Sequence, residues 1–143
     1  MSNRLSRILY WHLNILGAKL FAFEKISIYL FCFIFYYYSM AHVLTSSDFD
    51  STISLGVTLV DFYADWCGPC QRLIPIIDDL AKMYEGRANI CKLDVDASGD
   101  IAQRYGIMSI PTILLFKDGQ LVEKVVGIQS EGDLVTLVDK HLA

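Results

Sequence analysis

The strongest constraint on this chain is a pair of thiols placed at a junction. Cys67 and Cys70 lie in Trp66-Cys67-Gly68-Pro69-Cys70, directly after the apolar run Val57-Thr58-Leu59-Val60-Asp61-Phe62-Tyr63-Ala64. A nearly continuous apolar run of this length predicts a strand covered on both faces. Beyond the thiols, Leu73, Ile76, Ile77, Leu80 and Met83 recur at helical spacing, which predicts a helix from about Cys67 to Tyr84. The pair therefore falls where a buried strand hands over to a helix. Free N–H groups and the positive end of the helix dipole favour an anion there. The thiolate is the reactive form of cysteine. Cys67, at the helix start, is the candidate nucleophile. Cys70, one turn deeper and less exposed, is the candidate resolving thiol that attacks a mixed disulfide and releases the substrate reduced.

The rest of the chain alternates strand and helix from Ala41 onward. His42-Val43-Leu44 reads as a short strand, and a helix capped by Ser46 or Ser47 is expected through about Leu55, ended by Gly56. Pro75 inside the long helix is expected to kink it, because proline lacks the N–H and crowds the preceding turn. Asn89 to Val95 reads as a third strand. Ser98 is expected to cap a helix to about Tyr105, closed by Gly106. Pro111 to Phe116 and Leu121 to Val126 read as strands joined by the hairpin turn Lys117-Asp118-Gly119-Gln120. Gly127 breaks the last strand. Ser130 then caps a final helix whose apolar face is Leu134, Leu137, Val138 and Leu142. The order βαβαβαββα predicts an α/β domain with a mixed sheet, its first strands parallel with crossover helices and its last two an antiparallel hairpin.

Composition divides the chain. Hydrophobic residues make up 54% of its 143 residues, and the excess lies in the first forty. Residues 1–39 carry Arg4, Arg7, Lys19 and Lys25 against Glu24, whereas residues 40–143 are strongly acidic, within a net charge of −4 overall. An acidic main domain with no basic patch argues against nucleic acid as a partner. Within the first segment, residues 26–38 form an uncharged apolar run of thirteen, followed by Ser39-Met40-Ala41. Basic residues before an apolar run and small residues at a cleavage position outline a signal peptide or anchor. Thirteen residues, however, reach only about 20 Å as a helix, short of a ~30 Å hydrocarbon core. Met40 also begins a domain that is complete on its own pattern. The expected division is thus a hydrophobic extension over 1–39, signal-like, anchor-like or an over-long start, and a working domain over 40–143.

Other candidate residues follow from chemistry. Asp61 is a carboxylate inside an apolar strand, where burial raises its pKa and makes it a plausible proton acceptor for Cys70. A strand-edge acid reaching solvent is the alternative. Gly68 and Pro69 add no charge between the thiols, consistent with a reductant, and proline preorganises the helix start. Zinc would need two further ligands beside the thiols, and Cys32, Cys91, His12, His42 and His141 supply no second pair, so no metal is expected. Cys91 reads as a buried structural thiol and Cys32 as a hydrophobic filler.

Taken together, Asp61 to Cys70, Ile110-Pro111-Thr112, Phe116-Lys117-Asp118-Gly119 and Gly127 make residues 40–143 resemble the thioredoxin family from end to end. The resemblance implies the thioredoxin fold and general protein disulfide reductase activity. It implies a cis Pro111 facing the two cysteines, with the backbone of Ile110 left free to pair with an extended client segment. Trp66 and Gly127 would belong to the same docking surface. It assigns Asp61 the role of proton acceptor and Lys92 a place near that acid. Tyr63 stands where many family members carry a second tryptophan. No cofactor is implied for the chain itself, which would act as a monomer recycled by an NADPH-dependent flavin reductase, thioredoxin reductase. Disulfide-bearing proteins, among them reductases and peroxidases that need electrons, would be its clients. A cytoplasmic location is expected, because reducing conditions suit the Gly68-Pro69 pair. A membrane-anchored or exported thiol reductase, and a binding module without redox turnover, are the alternatives.

Overall fold

A computed structural model describes residues 40–143. The expectations for residues 1–39, Cys32 and His12 included, lie outside the described residues. Strands β1 (His42–Leu44), β2 (Val57–Tyr63), β3 (Asn89–Asp94), β4 (Thr112–Lys117) and β5 (Gln120–Val126) alternate with helices α1 (Phe49–Ile53), α2 (Gly68–Met83), α3 (Gly99–Arg104) and α4 (Glu131–Leu142). The expected order of elements is the observed one. The strands form one sheet in the order β1-β3-β2-β4-β5. β3 runs parallel to both β1 and β2, while β4 is antiparallel to β2 and to β5. The fold is the thioredoxin fold.

β2 is central, and its alternation feeds two cores. Leu59 and its register partners Ile90 and Leu115 pack beneath Leu73, Ile77 and Leu80 of α2 and Leu134 and Val138 of α4. Val60 and Phe62 face the other way, into a cluster with Phe49, Leu93, Ile101 and Phe116. There Phe116 meets Phe49 and Tyr105 edge to face at 5.7 and 5.3 Å between ring centroids, a favoured arrangement for aromatic quadrupoles. Coverage of both faces is what the unbroken apolar run of β2 requires.

Local signals hold where the chain itself satisfies them. Asp118 and Gly119 both take positive φ, 50° and 80°, as a two-residue type I′ hairpin demands. Ser130 and Asp133 form a reciprocal capping box at the start of α4. Two expectations are corrected. α1 begins at Phe49 behind Asp48 rather than behind Ser46 or Ser47. Asp48 accepts from the Thr45 amide and hydroxyl at 2.6 and 2.9 Å, so residues 45–48 form the turn that precedes the helix. Ser46 instead donates to Asp100 at 2.5 Å. At the other end of α2, Met83 is exposed and Tyr84 takes the buried place, its hydroxyl donating to Asp139 of α4 at 2.9 Å. Pro75 lies within a helix that runs unbroken from Gly68 to Met83.

Candidate active site

The site forms at the C-terminal end of β2. Backbone from Ala64 to Cys67 closes a turn, with the Cys67 amide donating to the Ala64 carbonyl at 3.1 Å. Cys67 then caps α2, and Pro69 occupies its first turn. The Cys70 amide donates to Cys67 Sγ at 3.2 Å, so one of the orphan donors of the helix start is spent on sulfur. Cys67 and Cys70 are joined as a disulfide, with their Cα atoms 5.3 Å apart. Cys67 keeps 5% of its surface exposed and Cys70 none.

Pro111 follows Ile110 through a cis peptide. The Ile110 carbonyl oxygen lies 3.9 Å from Cys67 Sγ. Gly127 is drawn to the same place, its amide donating to the Pro111 carbonyl at 2.8 Å. A Cβ on Gly127 would meet nothing within 4 Å, and φ is +94°. Backbone conformation, not crowding, selects glycine there. A Cβ on Gly68, between the two cysteines, would likewise meet nothing within 4 Å. Trp66 is 71% exposed, held by its indole N–H donating to Asp96 at 2.8 Å. Beside it lies a shallow groove of about 360 Å³, lined by Trp66, Val95, Ala102, Ile107, Met108, Ser109 and Ile110. Met108 is 96% exposed. Asp96, Val95, Ile107 and Met108 were not among the residues singled out from sequence. Only the nearness of Ile107 and Met108 to Ile110-Pro111 pointed to them.

Asp61 lies on β2 facing α2 and is fully buried. Neither carboxylate oxygen has a hydrogen-bond partner among the described residues. Desolvation pushes its pKa up to about 7, against a smaller opposing pull from Lys92. Lys92 sits opposite it in register on β3 and is itself buried. Its ammonium, however, pairs with Asp78 of α2 at 2.9 Å and not with Asp61. Asp78 was not legible as a site residue, since an acid on a helix is ordinarily solvated. Cys91 is free and buried, and burial pushes its thiol up to about 12, which keeps it protonated and inert. Among the described residues, no group of three or more His, Cys, Asp or Glu could hold a metal ion, and no helix is long and apolar enough to cross a membrane.

A helix-capping cysteine, disulfide-bonded to a buried partner and 3.9 Å from the carbonyl of a cis-proline turn, defines a dithiol–disulfide oxidoreductase. The thioredoxin family model matches residues 40–140. Thioredoxin of Staphylococcus aureus strain Mu50 is 54% identical over 99 residues, covering 69% of this chain and 95% of that protein. Thioredoxin of strain N315 matches to the same extent. Among solved structures, a mutant thioredoxin from Halobacterium salinarum NRC-1 superposes with a TM-score of 0.68 at 39% identity, covering 74% of this chain and 94% of that one. The chain belongs to the thioredoxin family and is a protein disulfide reductase.

Proposed function

We propose that Cys67 enters the exchange and Cys70 completes it. Reduced Cys67, as thiolate, attacks a client disulfide, forming a mixed disulfide and expelling one client thiolate. Cys70 loses its proton to Asp61 and attacks Cys67 Sγ, which releases the second client thiolate. Two electrons pass to the client, its two thiolates take protons from solvent, Asp61 gives up the proton of Cys70, and the protein leaves as the Cys67–Cys70 disulfide. The observation that carries this reading is the Cys70 amide aimed at Cys67 Sγ, at 3.2 Å, with Cys67 the residue of the pair that keeps any exposure. A hydrogen bond to the charged form of a group favours that form.

Trp66, Gly68, Pro69, Ile110, Pro111 and Gly127 form the client-docking surface in this reading, with the Ile110 backbone pairing an extended client segment. Lys92 supports Asp61. The clients are protein disulfides. Electrons return from an NADPH-dependent thioredoxin reductase, and the protein acts as a monomer.

Replacing Cys70 by serine tests the order of events. Cys70→Ser should capture clients as a stable mixed disulfide on Cys67, visible as a dithiothreitol-sensitive adduct on non-reducing gels. Turnover in insulin reduction should fall by at least about a hundredfold, since the intramolecular release step is lost. An adduct on position 67 no longer-lived than in the parent protein would overturn the assignment.

The working domain is read as residues 40–143, with 1–39 a separate extension, and the location as cytoplasmic, suited to an uncharged Gly68-Pro69 pair poised as a reductant. Mass spectrometry of the protein from its native cell should find a chain beginning at Met40 or Ala41. One beginning at His42 would mean export, and one retaining Met1 would mean that the extension persists.

A further inference from the structure

Lys92 has two acids within its surroundings, the buried Asp61 and the half-buried Asp78, and it pairs with Asp78. In register it faces Asp61 across the parallel β2–β3 pair. An ammonium carries three donors, yet its partner is Asp78 Oδ1 at 2.9 Å, and both oxygens of Asp61 are left without one. Asp78 is fixed from a second side, because the Ala41 amide donates to the same oxygen at 3.0 Å. Asp78 and Cys70 share α2, eight residues apart, so the helix that carries the resolving thiol also carries the acid that engages Lys92. The remaining surroundings of Asp61 add no competing cation among the described residues. Ile113 faces it from β4, α4 turns Leu134 and Val138 inward, and Tyr63 follows on its own strand.

We propose that Asp78 is a positioning residue for disulfide exchange: it holds the Lys92 ammonium off the Asp61 carboxyl, so that the Asp61 carboxylate stays basic enough to take the proton of Cys70. This rests on the reading of Asp61 as the acid–base group. The physical argument is one of local charge. With Asp78 ionised and Lys92 protonated, ionising Asp61 leaves an uncompensated negative charge in a desolvated place. Without Asp78, the same step neutralises Lys92 and is favoured. Lys92, released, also gains room to turn toward Asp61. Both effects lower the pH at which Asp61 ionises.

The test follows the Asp61 side-chain carboxyl by carbon-13 NMR across pH in the oxidised protein, where neither active-site cysteine titrates. In Asp78→Asn the Asp61 midpoint should fall by at least about 1 pH unit, the usual effect of a cation gained at close range. Asp78→Glu, which restores a carboxylate, should return it most of the way. Asp78→Ser provides the same reading if the amide variant folds poorly. In a Lys92→Met background the Asp78→Asn fall should shrink to less than half, because its effect runs through Lys92. An unmoved or raised midpoint in Asp78→Asn and Asp78→Ser, or an equal fall with and without Lys92, would overturn the proposal. A bridge that merely ties α2 to β3 would change the melting temperature and leave the midpoint in place. Loss of exchange rate in Asp61→Asn tests the underlying reading separately, since the NMR midpoint does not depend on what Asp61 does in turnover.

Discussion

Cys67→Ser should abolish insulin reduction, with the rate falling by at least about a thousandfold, in the range seen when an enzyme loses its nucleophile. The reason is ionisation and access together. A serine hydroxyl is not ionised near neutral pH, so the Cys70 amide and the start of α2 would have no anion to stabilise. Cys70 cannot substitute, because it is wholly buried in the oxidised protein. Cys91 cannot either, because burial pushes its thiol up to about 12. The contrast with Cys70→Ser is the informative part. The Cys70 variant should still form the first covalent bond with a client and stall, whereas the Cys67 variant should form none. Unchanged insulin reduction in Cys67→Ser, with the fold intact, would mean that sulfur enters from another position and that the difference in exposure between the two cysteines has no bearing on the chemistry.

Elements whose signals are local were legible in the sequence. The two-sided run of β2, the Asp118-Gly119 hairpin and the Ser130 cap each depend on residues within a few positions, and each is found where it was expected. The site was legible to the extent that one junction carries it, from Asp61 through Cys70. What escaped depends on how helices dock on the sheet. Asp48 rather than Ser46 precedes α1 because Ser46 is drawn to Asp100, 54 residues away. Tyr84 rather than Met83 turns inward because Asp139 of α4 waits for its hydroxyl. Lys92 was expected beside Asp61 and does face it in register, but the pairing of its ammonium with Asp78 follows from the placement of α2 over the sheet. The exposed Met108 and the Trp66–Asp96 bond have the same origin, since no periodicity in the sequence reports contacts between loops.

Asp61→Asn should flatten the pH dependence of stability of the oxidised protein. Asp61 is buried, its oxygens are unpaired, and desolvation pushes its pKa from 3.8 up to about 7. Below 3.8 the folded and unfolded chains both hold the proton. Between 3.8 and about 7 the unfolded chain has released it while the folded chain retains it, so stability falls as pH rises. Above about 7 both forms are ionised and the loss is complete. At about 1.4 kcal/mol per pH unit, the gap is worth about 4 kcal/mol. Urea unfolding at pH 4 and pH 8 should therefore show the parent protein losing about 4 kcal/mol more than Asp61→Asn over that interval. Other acids act in the opposite direction. Asp48, Asp100 and Glu123 are held below their usual range, by the Thr45 backbone amide, the Ser46 hydroxyl and the Lys140 ammonium respectively, but they are common to both proteins and cancel in the comparison. An unsatisfied asparagine amide carries its own cost of about 1–3 kcal/mol, and that cost is the same at both pH values. Equal losses in the two proteins would show that Asp61 ionises in the folded state as readily as in the unfolded chain. Its carboxylate would then be too weak a base to take the proton of Cys70, and the resolving step would need another acceptor.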